Sequence, residues 1–251
     1  MKSFFFIIGL VLCLEVESSS VFHRNDPYLD RDLIRDFFGN GDYLQWSRYI
    51  DPQEVHQIVE VGSRDAIDSI LLGYYYQCPV IAFECNPEGL ERCYKNIEKY
   101  PYVTVVPMAC YSETKDLLFY PVRESNGGSI PTNIGGSSLF KVREKGPEKC
   151  HKQGTPISVH ATRLDTYMEE NGIQEIDLLC MDVQGATLEV LKGLGEKLHH
   201  VKYIITEVYF TPAWYGETLF PEIAKFLEGY GFALVPTAMN GPFCDVMFIR
   251  K

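Results

Sequence analysis

The stretch IVEVGSRDAIDSILLGYYYQCPVIAFE, from Ile58 to Glu84, constrains the rest of the chain most tightly. A short apolar run (Ile58 to Val61) reaches a turn at Gly62-Ser63-Arg64-Asp65, an amphipathic helix follows, and a second apolar run ends in Glu84. That is half of a nucleotide-binding βαβ unit. Glycine at the strand end lets backbone approach a ligand closely, and the helix after it offers unpaired N–H groups. Glu84 lies 22 positions after Gly62, near the roughly 20 at which such folds set a carboxylate on ribose hydroxyls. Ribose recognition is the expectation.

After Gly62 no second or third glycine follows to admit a pyrophosphate, and Asp65 adds negative charge near the helix start. A diphosphate would be repelled there. An adenosine ligand without phosphate and with a cationic centre fits better, and S-adenosylmethionine has that character.

The remaining pattern alternates strand and helix. Ile67, Ile70, Leu71 and Tyr74 form the stripe of a helix lying on a sheet, and Leu90, Cys93, Tyr94 and Ile97 repeat it after an Asn86-Pro87 helix start. Strands are expected at Val80 to Glu84, Tyr102 to Val106, Leu117 to Val122 and Ile157 to His160. The nearly unbroken apolar run Ile176 to Met181 reads as a central parallel strand that delivers Asp182, and Val201 to Thr206 as one that delivers Glu207. Two closing strands, Phe232 to Val235 and Val246 to Ile249, flank a turn at Asn240-Gly241-Pro242. The expected fold class is α/β: a doubly wound, mostly parallel sheet with a C-terminal antiparallel hairpin. From Arg123 to Gln153 the composition turns to Gly, Ser, Asn, Pro and Lys, which predicts a flexible insertion of the kind that covers a ligand.

At 251 residues the chain suits one domain, and a formal charge of -11 argues against a broad nucleic-acid surface. Lys2, the apolar run Phe4 to Leu14 and Ser18 to Ser20 read as a secretory signal peptide over residues 1–18. The run has eleven residues, against the about 20 that a membrane span takes. That leader predicts the secretory lumen or the exterior, with the cytoplasm as the alternative. Cysteine usage lends secretion no support, because Cys85, Cys110 and Cys180 fall in or beside core strands as single thiols. Residues 19–54 form a lead-in with an amphipathic helix at Asp26 to Phe38, and the domain proper occupies residues 55–251.

The motifs VEVGSRD (Val59 to Asp65), AFECNP (Ala82 to Pro87), GGSSLF (Gly135 to Phe140), RLDTY (Arg163 to Tyr167) and IDLLCMDVQGATLEVLKG (Ile176 to Gly193) together resemble the FkbM family of S-adenosylmethionine-dependent methyltransferases. The similarity runs from about Val55 to Ile249. It implies a seven-stranded Rossmann-like fold and methylation of a hydroxyl on a sugar, glycan or small hydroxylated metabolite. By position, Glu60, Gly62, Ser63 and Asp65 correspond to the family's cofactor loop, Glu84 to its ribose-binding acid and Asp182 to its strand-end aspartate. Cys85, next to Glu84, and Ala109, in the Pro107 to Cys110 stretch where an adenine could lie, complete the cofactor set. Gln184 stands where many members carry Glu, and Arg64-Asp65-Ala66 replaces a more glycine-rich turn.

Methyl transfer to oxygen is an in-line displacement that needs donor and acceptor held collinear and the hydroxyl proton removed. Glu60, Glu84, Asp182 and Glu207 are all expected at strand ends, where ligands of doubly wound sheets sit. Asp182 is the first candidate for proton acceptor, with a helix N-cap as its structural alternative. Glu207 is the candidate to position the acceptor, and His160 is a further candidate base. Trp214 and Tyr215 are candidates to stack on a sugar. Cys150-His151 stands alone in sequence, so no metal site is expected. The rival to an enzyme is a secreted binding module that keeps the fold without the reaction.

Overall fold

The computed structural model describes residues 43–125 and 133–251. The expected leader and the Asp26 to Phe38 helix lie outside the described residues.

The strands are β1 (Ile58–Val61), β2 (Val80–Phe83), β3 (Val103–Val106), β4 (Ala109–Cys110), β5 (Lys115–Phe119), β6 (Val122–Ser125), β7 (His151–Gln153), β8 (Ile157–Thr162), β9 (Ile176–Met181), β10 (Val201–Tyr209), β11 (Phe232–Leu234) and β12 (Phe243–Arg250). The helices are α1 (Ile67–Tyr76), α2 (Pro87–Ile97), α3 (Leu164–Glu170), α4 (Thr187–Leu194) and α5 (Phe220–Gly229). The main sheet has seven strands in the order β11-β12-β10-β9-β1-β2-β3. β3, β2, β1, β9 and β10 run parallel, and the β11-β12 hairpin closes the edge antiparallel. The chain steps outward from β1 to β3 and later returns to β1's other side with β9, which makes the β1/β9 boundary the switch point where such sheets bind ligands.

Parallel strands covered on both faces are largely apolar, and every residue of β1 and β9 is buried. Val59, Val61, Leu179 and Met181 pack beneath Leu164, Val190 and Leu191 of α3 and α4 on one face. Ile58, Leu178 and Cys180 meet Ile70 and Leu72 of α1 and Trp46 on the other. Asp177, the one charge in the β9 run, is 4% exposed and accepts the N–H groups of His56 (2.8 Å) and Gln57 (3.0 Å), with Lys202 Nζ at 3.6 Å. Its burial is compensated, as a buried charge requires.

The turn after β1 departs from its sequence. Gly62 takes φ +86°, but Arg64 (+55°) and Ala66 (+61°) also lie in the left-handed region, where a Cβ is disfavoured. The backbone thus makes the bends of a glycine-rich turn without the glycines. Gly62 itself is required by a neighbouring strand: a Cβ there would lie 1.9 Å from the Asp182 carbonyl oxygen.

The second expected departure from regular structure, the flexible insertion, is held down wherever it is described. β6 pairs with β7, Tyr120 bridges to Ser138, and Val142 bridges to Trp214. Gln153 clasps the segment, donating from Nε2 to the Phe140 carbonyl (2.9 Å) and accepting the Val142 N–H at Oε1 (2.9 Å). β4, β8 and β5 form a separate three-stranded sheet.

Gly62→Ala and Gly172→Ala separate collision from conformational strain. Gly172 also has positive φ (+68°), but nothing lies within 4 Å of its missing Cβ. Gly172→Ala should cost about 1 kcal/mol, and Gly62→Ala about 3 kcal/mol or more; urea denaturation of the two variants checks this.

Candidate functional site

A cleft of about 840 Å³, counting its open mouth, lies beyond the carboxyl ends of β1, β2 and β9. Glu60 and the Gly62-Ser63-Arg64 turn line one wall, Phe83 to Asn86 a second, Met108 to Cys110 a third, and Asp182 and Val183 the fourth. Ser137 to Leu139 cover it from the insertion, and Tyr43 enters from the residues before β1. Of the residues singled out in the sequence, Glu60, Gly62, Ser63, Glu84, Cys85, Ala109 and Asp182 all line this cleft.

Glu84 is 7% exposed and its carboxylate is already oriented. Oε1 accepts the N–H groups of Cys85 (2.8 Å) and Asn86 (2.6 Å), and Oε2 accepts that of Arg64 (2.7 Å). Burial pushes its pKa up, and those three N–H groups hold it down in part. Gly89 permits this, since a Cβ there would meet both the Arg64 carbonyl oxygen and the Glu84 Cδ at 2.9 Å.

Glu60, 2% exposed, accepts a hydrogen bond from Ser69 Oγ. Burial first, and then the nearby Asp68 carboxylate, push its pKa up to about 8. The Tyr43 hydroxyl sits in the same field: burial, then Glu60 and Asp182, raise its pKa well above the ordinary value. These acids make the cleft a place where a cation would be welcome.

Asp182 follows β9, and its N–H reaches the Val61 carbonyl at 3.1 Å. Its Oδ1 accepts from Gln184 Nε2 at 2.6 Å. The same Nε2 donates to Glu207 Oε2 at 3.0 Å. Burial and the Asp182 charge push the Glu207 pKa up to about 9.

Three expectations need correction. Asp65 does not line the cleft; its Oδ1 accepts the Ile67 N–H (3.3 Å) at the start of α1, and its Oδ2 pairs with Arg64 Nε (3.3 Å). Glu207 is not at a strand end, because β10 continues to Tyr209 and sets Glu207 opposite Asp245 of β12. It stands behind the cleft wall and reaches Asp182 through Gln184. His160 belongs to β8 of the separate sheet, where alternation buries Val159 and Ala161 and turns His160 outward to Asp116 Oδ1 at 2.9 Å. It is not in the cleft.

Trp214 is wholly buried, and a Cβ on Gly185 would meet its ring at 2.6 Å, so it packs the core. Tyr215 is half exposed, with the Arg143 guanidinium 4.8 Å from its ring centroid. Cys150 and His151 do not stand alone, since Glu148 brings a carboxylate and the three potential ligand atoms lie within 4.8 Å of one another. The His151 Nε2 to Glu148 Oε2 distance of 2.7 Å is that of a buried ion pair or hydrogen bond.

Tyr43, Arg64, Asp68, Ser138 and Gln184 were missed as site residues. Asp68 was findable from its place in the first turn of α1; Tyr43 carried no local signal.

The Methyltransferase FkbM domain profile matches residues 60–234. The chain belongs to the FkbM methyltransferase family. It is 27% identical over 191 residues to the 2-O-methyltransferase NoeI of Sinorhizobium fredii, covering 76% of this chain and 77% of NoeI. It is 25% identical over 178 residues to the hexuronic acid methyltransferase AglP of Haloferax volcanii, covering 70% of this chain and 65% of AglP. Among solved structures, TrmK of M. capricolum in complex with S-adenosyl-homocysteine is similar at a TM-score of 0.45 with 12% identity, covering 82% of this chain and 66% of TrmK.

Two buried acids with raised pKa contribute to the pH dependence of the family member's stability. Glu60 and Glu207 move from 4.5 to about 8 and about 9 on folding, so between those values the folded state binds more protons than the unfolded chain. Their contribution is intact below pH 4.5 and is lost as pH rises to about 8 and 9. Thermal melts should show Tm falling across that window, and Glu60→Gln should flatten part of the fall.

Proposed function

We propose that this FkbM-family protein is an S-adenosylmethionine-dependent O-methyltransferase acting on a hydroxyl of a sugar, glycan or small hydroxylated metabolite. The observation that carries the reading is the convergence of Glu60, Glu84 and Asp182 from three adjacent parallel strands onto one cleft. The names of NoeI and AglP, a 2-O-methyltransferase and a hexuronic acid methyltransferase, support a sugar-like acceptor.

The residues fit the cofactor. Glu84, held by three N–H groups, keeps lone pairs for ribose hydroxyls, while Cys85, Met108 and Ala109 give a largely apolar wall suited to adenine. Glu60 and Asp68 supply the negative field for the ligand's cationic part. When bound, S-adenosylmethionine supplies an electrophilic methyl group.

Asp182 lines the cleft with its backbone tied to β1 and its Oδ1 held by Gln184, which positions its carboxylate to accept the proton of a hydroxyl. Ser137 to Leu139 line the cleft from the insertion. The expected signal peptide makes the secretory lumen or exterior part of this reading.

Calorimetry and turnover separate the two roles. Glu84→Ala should weaken S-adenosylmethionine binding at least about tenfold, whereas Asp182→Asn should bind normally and lose on the order of 100-fold or more in turnover. Equal cofactor affinity in wild type and Glu84→Ala would remove the ribose assignment. Absence of S-adenosylmethionine binding in wild type at millimolar cofactor would remove the enzyme reading.

A further inference from the structure

Asp182 and Glu207 sit beside each other behind and along one wall of the cleft, and two neighbouring carboxyls do not both ionise readily. Gln184 lies between them. Its Nε2 donates to Asp182 Oδ1 (2.6 Å) and to Glu207 Oε2 (3.0 Å), and its Oε1 accepts from the Tyr209 hydroxyl (3.2 Å). Its backbone carbonyl accepts from Ser138 Oγ at 2.7 Å. Turning the amide over would aim its oxygen at two carboxyls, so the network fixes its orientation.

The backbone at this position is unfavourable for the residue it carries. Gln184 is 8% exposed with φ +46°, a region that glycine or asparagine enters more readily. Left-handed non-glycine residues cost free energy and cluster at working sites. What the position retains is therefore the long amide side chain.

We propose that Gln184 is a positioning residue, an amide wedge that keeps Asp182 and Glu207 inequivalent: a charged carboxylate facing the cleft and a neutral partner behind it. This rests on the reading of Asp182 as proton acceptor. A glutamate at position 184 would replace two donors with acceptors and set three carboxyls together. The surroundings act in the same sense. Glu207 is buried and faces Asp182 from beyond β9, Asp245 from β12 and Glu148 from the insertion, which all favour its neutral form, while the Tyr209 hydroxyl on its own strand acts the other way; the balance puts the proton of the pair on Glu207. Asp182 lies within the field of the Arg64 guanidinium from the turn after β1, with the Tyr43 hydroxyl and Glu60 on its other side.

The test is a carboxyl-carbon NMR titration of the full chain labelled at Asp and Glu, with Asp182 and Glu207 assigned through Asp182→Asn and Glu207→Gln. Gln184→Asn suits the positive φ and is too short to span both carboxyls. It should stay folded and keep S-adenosylmethionine affinity within about twofold, yet raise the Asp182 midpoint by at least about one pH unit. Gln184→Glu should move that midpoint the same way and serves if the first variant fails to fold. An unmoved Asp182 midpoint in a folded variant overturns the proposal, as does unfolding of both, which would make Gln184 a stability residue. Transfer of labelled methyl from S-adenosylmethionine to methyl glucoside and methyl glucuronoside tests the underlying reading separately. If Asp182→Asn transfers as fast as wild type while the midpoint still moves in Gln184→Asn, the wedge stands and the role of Asp182 falls.

Discussion

Gly62 lies so near the Asp182 carbonyl that no Cβ can fit between them. That contact locks the end of β1 to the end of β9 at the switch point of the sheet. The ribose-side turn and the candidate proton acceptor are thereby set at a fixed spacing by backbone alone. Everything else at the site is hung from this junction: Glu84 grips the turn through the Arg64 N–H, and Gln184 grips Asp182 two residues farther on.

The cleft is acidic on one side, and among the described residues that line it the cationic one is Arg64, whose side chain lies against Gly135. Buried acids with raised pKa are costly to ionise, and a cationic ligand shifts that balance toward the charged form. Stability and ligand chemistry are therefore linked through the same carboxyls. Ser69 donates to Glu60 and Gln184 to Glu207, so each buried carboxyl has a hydrogen-bond partner that offsets part of the cost of its burial.

Much of the sheet was legible in the chain. β9 has the bounds its nearly continuous apolar run implied, since a parallel strand covered on both faces is mostly apolar along its length. β10 overran its apolar run because its ladder with β12 continues through Glu207, a pairing that hydropathy does not register. Arg64 and Ala66 hid the shape of the turn, as neither residue type signals a positive φ. His160 misled because the separate sheet that exposes it joins β8 to β4 and β5, and its Asp116 partner lies 44 positions away. Gln184 went unread because two of its partners, Ser138 and Tyr209, lie 46 and 25 positions away.

The Ser137 to Leu139 roof is joined to the rest of the fold by discrete ties: Ser138 Oγ to the Gln184 carbonyl, Ser137 Oγ to the Val122 N–H, and the Gln153 clasp on Phe140 and Val142. Residues between those ties border the cleft without carrying the sheet's core. A lineage inheriting this chain could exchange them, and with them its preference among acceptors, while the inherited nucleoside pocket stays intact. Diversification of such a scaffold would be written in the roof and not in the floor.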